Sequence, residues 1–250
     1  MEQTIEILFE DEGCVVINKP AGIMVHSDGR STETSIADWA LRNYPETEKI
    51  GEPITLSNGK KVNRPGIVHR LDKETSGALI VVKTPEFFAN IKEQFKSREV
   101  AKEYRAFVYG SVKSERGTID RPIGRSKNDF RKRTAQRGVR GDIREAVTVY
   151  RVIERDTDVT LVEVRPLTGR THQIRVHFKA INHPVVADSL YAQGKPPLLG
   201  FKRLALHAKS IEFTDCKGKK RRVEAPYPAD FQAAMKVLEE KRAIATKNSL

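Results

Sequence analysis

The chain has 250 residues, 38% hydrophobic and 31% charged, with 45 Lys plus Arg against 33 Asp plus Glu and a net charge of +12. A chain this long can bury roughly three-quarters of its unfolded surface, and its composition excludes a disordered chain and a fibrous repeat. The longest apolar run, Gly77 to Val82, is far short of the roughly 20 residues that a membrane span needs.

The N-terminus is acidic where an export signal would be basic and then apolar. Cys14 and Cys216 lack metal-type spacing. Both features fit a reducing, cytoplasmic setting without zinc and without a membrane.

In chain order, Ile5 to Phe9 and Cys14 to Asn18 read as two strands split by a turn at residues 10–13. Ser35 to Tyr44 has helical spacing, with Ile36, Trp39 and Ala40 inward. Residues 45–66 are polar and rich in Gly and Pro, a loop with room for one hairpin. Ala78 to Lys83 reads as a buried strand, Pro85 to Ser97 as an amphipathic helix, and Lys102 to Tyr109 as a strand. Val147 to Ile153 and Thr160 to Arg165 read as paired strands. Thr171 to Ile181 reads as a helix capped by Thr171 and stopped by Asn182-His183-Pro184. Leu204 to Ala208 and Ser210 to Thr214 are expected as two short strands. Asp230 to Ala243 is expected as a terminal helix, with residues 244–250 a frayed tail.

Strands outnumber helices and do not alternate with them strictly. The expected fold class is therefore α+β: a mixed, largely antiparallel β-sheet with helices packed on it. No composition break marks a linker, so residues 1–250 are expected to form a single domain, and a monomer is expected.

The charge is clustered. Nine basic residues face two acids between Arg121 and Arg144, and five face none between Lys217 and Arg222. These two runs hold the whole net charge. Such clustering is the footprint of a polyanion partner. Neither run has the apolar face of an interfacial helix, so nucleic acid is preferred to a membrane surface.

Several sites are excluded. Gly194-Lys195-Pro196 lacks the other parts of a phosphate-binding loop. His172, His177 and His183 are spaced by five and six, not by the four that sets two imidazoles on one helical face, so no metal is expected. No Gly-x-Ser-x-Gly elbow is present.

The densest chemical signal is the run from Gly66 to Gly77, containing His69-Arg70-Leu71-Asp72 and Thr75-Ser76-Gly77. It lies between Pro65-Gly66 and a buried strand, a common place for a reacting group. Taken alone, Asp72 also fits a turn or capping residue.

This run resembles the active-site motif of the RluA family of RNA pseudouridine synthases. Further family motifs follow in order. Asn18-Lys19-Pro20-Ala21-Gly22 resembles the first, and Lys102-Glu103-Tyr104-Arg105-Ala106 the Lys-x-Tyr strand. Pro166 to His177 resembles the third motif, and His183-Pro184, Asp188, Tyr191 and Arg203 to Ala208 the later signatures. The resemblance runs from about residue 5 to residue 231.

It implies the pseudouridine synthase fold and an isomerase that reattaches a uracil through ring carbon five, in ribosomal or transfer RNA. Breaking a glycosidic bond builds positive charge on the sugar, which a carboxylate stabilises or captures. No water attacks, so one aspartate suffices where a hydrolase shows two. By resemblance Asp72 is that carboxylate, acting as nucleophile or by removing a sugar proton. Arg175 is implied as its neighbouring cation. Tyr104 is implied as a stacking partner of the base and a candidate for proton transfer. Ile174 is implied to pack on the base, although core packing explains it nearly as well. The target base must leave its stack, and Arg70 is implied to fill the gap, with His69 supporting the loop. No cofactor is implied.

Three positions depart from the family pattern: Asn182, Ala187 and Ala192 stand where glycine is usual. The chain is also expected to lack the small RNA-binding domain that many members carry ahead of the catalytic one. RNA contacts are therefore expected from the basic runs, with Arg131, Lys132 and Arg133 foremost, and from residues 45–64. A non-catalytic RNA binder of the same fold is the competing reading; a deaminase is disfavoured by the missing zinc signature.

Overall fold

The computed structural model describes residues 4–27, 33–55, 59, 61–135 and 139–247. Arg137, part of the first basic run, and several residues of the 45–64 loop lie outside them, as do residues 248–250. The chain forms two compact units, Met1–Lys102 with Ala208–Pro226 and Glu103–His207 with Tyr227–Leu250.

The first unit opens with β1 (Glu6–Glu10) and β2 (Cys14–Lys19), an antiparallel hairpin. The Asp11 carboxylate closes its turn by accepting from the amides of Gly13 and Cys14. Helix α1 (Ile36–Asn43) starts at Ser35 with a capping box completed by Asp38, which satisfies amides that a helix start leaves open. A 3-10 turn, Pro45–Lys49, and one hairpin, β3 (Ile54–Thr55) with β4 (Lys61–Val62), occupy the polar stretch as expected. Strand β5 (Ser76–Val82) is buried throughout and pairs antiparallel with β2. Its unbroken apolar run reflects cover on both faces. Thr84 caps α2 (Pro85–Lys96), which buries Phe87 and Ile91.

Strand β6 (Ala101–Tyr109) carries the chain into the second unit. There β7 (Arg116–Asp120) is followed by β8 (Ile123–Ser126), β9 (Arg133–Thr134) and β10 (Val139–Arg144). The last three form a separate small sheet in the order β10-β8-β9. Strands β11 (Val147–Arg155) and β12 (Val159–Pro166) pair antiparallel, β12 also pairs with β6, and β11 with β7.

Helix α3 spans Gln173–Ala180. It begins later than expected, and Thr171 does not cap it. The N-cap is His172, left-handed at φ 57°, with no side-chain cap bond. Gln173 fastens the preceding loop instead, its Oε1 accepting from the Thr168 hydroxyl and the Arg170 amide.

Strand β13 (Leu206–Thr214) returns to the first unit, lies beside β5 there, and pairs antiparallel with β14 (Lys220–Glu224). The two short strands expected here are one. Lys209 looks like an interruption, but its ammonium reaches the Ala225 carbonyl at 2.9 Å and Glu224 at 3.2 Å, so the charge is satisfied within a continuous strand. Helix α4 (Ala229–Lys247) outruns the expected end at residue 243.

Each unit has its own apolar core. In the first, Val16, Ile80, Phe87 and Phe213 pack together. In the second, Phe107, Phe178, Phe201 and Phe231 do. The architecture is α+β with antiparallel pairing, as expected.

Candidate active site and basic surface

Asp72 and Arg70 lie in the first unit; Tyr104, Ile174, Arg175 and Arg131 to Arg133 lie in the second.

Asp72 is half-buried and opens a turn in which its carbonyl accepts from the Thr75 amide at 3.1 Å. The turn is held from both sides. On one side, the Lys73 carbonyl accepts from the Gly22 amide at 2.9 Å and from the Lys19 ammonium at 3.0 Å. Lys19 is fully buried, and its ammonium also donates to the carbonyls of Pro20 and Ile23. On the other, His69 Nε2 accepts from the Ile80 amide at 2.9 Å, which ties the loop to β5. Desolvation, with a smaller contribution from the Lys102 charge, pushes the His69 imidazole down to about 3. The ring is neutral at neutral pH and carries its proton on Nδ1, which suits a fixed acceptor rather than an acid. Gly77 continues the loop at φ 112°, where a Cβ would stand 2.1 Å from the Ala208 carbonyl oxygen. Only glycine fits that approach.

Arg70 is exposed, and its Nη1 lies 3.1 Å from Nε2 of the buried His26. The other ring nitrogen of His26 lies 3.0 Å from the Ser27 carbonyl. With Nδ1 donating there, Nε2 accepts from the guanidinium. His26 and Lys19 are the site residues that sequence reasoning missed. Lys19 was within reach, because it sits inside a quoted motif.

In the second unit, Tyr104 stands opposite Val164 on β6 and is half-buried against the core cluster that includes Ile174. The alternate residues of β6 serve the opposite face, where Glu103 pairs with Arg105 at 2.7 Å and with Arg165 at 3.0 Å. Arg175 is buried and gripped by Asp188, with Nε to Oδ2 at 2.7 Å and Nη2 to Oδ1 at 2.8 Å. This two-point geometry suits a planar guanidinium and would not suit lysine. Asp188 Oδ1 also accepts from the amides of Leu190 and Tyr191. The Arg175 guanidinium lies 5.0 Å from the centre of the Tyr191 ring.

Asn182 and Ala187, two of the residues replacing family glycines, keep glycine-like backbones at φ 65° and 55°. A residue with a Cβ carries local strain at such angles.

The two basic runs differ. In the second run, three of five cations are ion-paired: Arg221 with the buried Asp215 at 2.6 Å, Arg222 with Glu224, and Lys217 with Glu12. It is a less available polyanion surface than its charge suggests. The first run builds the small three-stranded sheet. There Arg131 folds back on Asp129 through two bonds and Lys132 reaches Gln193. The Arg133 amide donates to the Tyr191 hydroxyl at 2.8 Å, and that hydroxyl also meets His172 Nδ1 at 2.9 Å. Among the described residues, no group of three His, Cys, Asp or Glu side chains could hold a metal, and no helix is long and apolar enough to cross a membrane.

Comparisons with known proteins bear on the fold and the family. Residues 13–180 match the family model described as RNA pseudouridylate synthase. An RNA pseudouridine synthase of Synechocystis is 37% identical over 238 residues, 95% of this chain and 70% of that one. Ribosomal large subunit pseudouridine synthase D of Xanthomonas campestris is 39% identical over 255 residues, 97% of this chain and 72% of that one. The solved structure of human RNA pseudouridylate synthase domain containing 1 superposes with a TM-score of 0.71 at 26% identity, covering 91% of this chain and 87% of that one. The fold and these matches define an RNA-modifying isomerase. The chain belongs to the RluA family of RNA pseudouridine synthases.

Proposed function

We propose that this chain converts a specific uridine of ribosomal RNA to pseudouridine in the cytoplasm, with Asp72 as the essential carboxylate. The observation that carries the reading is the turn bearing Asp72. It is stapled on one side by Lys19 and Gly22 and on the other by His69. A carboxylate presented on so constrained a turn has little orientation left to lose when a sugar arrives.

In the reaction, the bond from base nitrogen to anomeric carbon breaks and a bond from ring carbon five to that carbon forms. The proton on carbon five leaves, and the freed nitrogen gains one. Asp72 meets the positive charge on the sugar, by attack on the anomeric carbon or by taking a sugar proton. Tyr104 stacks on the displaced base. Arg175, clamped by Asp188, supplies fixed positive charge. Arg70, steadied by His26, occupies the space the base vacates. The reaction stays within one nucleotide and needs no cofactor. The name of the Xanthomonas relative supports ribosomal over transfer RNA.

The test is tritium release from RNA labelled at carbon five of uridine, using total RNA from a strain lacking the protein. Wild type is expected to release tritium, and Asp72→Asn to bind RNA equally but release none. Equal binding with no release from either protein would replace this reading with that of a non-catalytic RNA binder.

A further inference from the structure

The small sheet carries two features that the reaction does not use. The first is a row of arginines. Arg125 on the central strand β8 stands opposite Arg133 on β9 and opposite Arg140 on β10. Arg125 is exposed. An exposed cation in a segment with this excess of positive charge gains when a chain of anions lies across it.

The second is Phe130, 75% exposed at the turn joining β8 to β9. The turn is well fastened. Asp129 Oδ1 accepts from the Arg131 amide, the Asp129 carbonyl from the Lys132 amide, and the Lys132 carbonyl from the Ser126 amide. The Arg131 side chain is folded onto Asp129. A large aromatic held outward on a hydrogen-bonded turn costs burial energy and yields nothing internal. Its value lies in contact with a flat apolar surface, and its rigid support lowers the entropy lost on contact.

We propose that this sheet is a binding site for a single-stranded segment of the RNA, with Phe130 stacking on an unpaired base and Arg125 contacting the phosphates. Charge selects a polyanion, and the exposed ring selects one whose bases are open. A duplex hides its base faces and offers only phosphates to the arginines. The site is anchored by the bond from the Arg133 amide to Tyr191 and by Ile123, which packs with Val176 of α3. This inference rests on the RNA reading above and adds where, and in what form, the RNA is gripped.

The test compares binding of a fluorescent 12-nucleotide oligouridine and of the same strand annealed to oligoadenine, at several salt concentrations. Wild type is expected to prefer the single strand. Phe130→Ala is expected to weaken single-strand binding roughly 5- to 150-fold and to leave duplex binding unchanged. Phe130→Trp should restore it. Arg125→Gln should weaken both and flatten the salt dependence for the single strand by about 0.7 in slope. The ring is exposed, so these variants keep the fold, which thermal melting checks. Single-strand binding by Phe130→Ala equal to wild type, or no single-strand binding by wild type, would overturn the inference. Tritium release by wild type, measured alongside, is independent of either result. Its presence keeps the synthase reading standing when the single-strand site fails, and its absence removes the synthase reading alone.

Discussion

Replacing Asp188 with alanine removes the partner of a buried guanidinium. Asp188 is wholly enclosed and the Arg175 side chain is 8% exposed, so water cannot take over the lost contacts. Two charge-assisted bonds at 2.7 and 2.8 Å disappear, and the amides of Leu190 and Tyr191 lose their acceptor. Removing one member of a buried ion pair costs about 3–5 kcal/mol, most of it the penalty of an orphaned charge. In a chain of this size each kcal/mol moves Tm by about 2–4 °C, so a fall of about 6–20 °C is expected. Asp188→Asn keeps an acceptor for the two amides and should fall between. Arg175→Met with Asp188→Leu removes both charges and should recover most of the loss. Urea unfolding followed by circular dichroism gives the differences, with the midpoint read at constant m-value. An Asp188→Ala protein within about 1 kcal/mol of wild type, or a double variant no more stable than the single one, would refute a buried, charge-balanced clamp.

Two further predictions concern the loop of Asp72. Burial holds the His69 imidazole down at about 3, far below its ordinary value. Between about pH 6.5 and 3 the unfolded chain binds a proton that the folded chain refuses. Stability is therefore full above pH 6.5 and falls on acidification by up to about 1.4 kcal/mol per pH unit. His69→Gln should show a shallower acid limb in urea midpoints taken from pH 7 to 4, and an unchanged slope would count against the buried neutral ring. At Gly77 an alanine Cβ meets backbone of Ala208, whereas at Gly22, φ 88°, nothing lies within 4 Å. Gly22→Ala should cost about 1–2 kcal/mol for conformation alone, and Gly77→Ala at least twice that. Equal midpoints for the two would remove the close approach as an explanation.

How much could be read beforehand depended on the residue. Ile36, Trp39 and Ala40, and Phe87 with Ile91, announce α1 and α2 because helical apolar spacing is a local pattern. Val81 and its neighbours announce β5 because their run is uninterrupted and apolar. Strands β8 to β10 gave no such signal. Five of their twelve residues are charged, and they are held by pairing, by the Tyr191 hydroxyl and by Ile123, not by an alternating apolar face. Lys209 split β13 on paper because its partners lie on another segment. The same holds at the site. Asp72, Tyr104 and Arg175 were nominated by motif. Asp188 was quoted as part of a signature without its role, since the grip on Arg175 joins positions thirteen residues apart through a non-helical loop.

The attachment of the small sheet has a consequence for how such a protein can change. Ile123, Ala146, Val176 and Tyr191 form a cluster distinct from the main core of the second unit. Substitutions across the turn and outer strands therefore leave the packing around Phe107 and Phe178 intact. The cluster also carries Tyr191, whose ring meets the Arg175 guanidinium and whose hydroxyl holds the Arg133 amide, so the sheet's attachment is shared with the arginine clamp. Substitutions at the exposed turn residues leave that contact alone, whereas ones that move the Arg133 amide disturb the ring against Arg175.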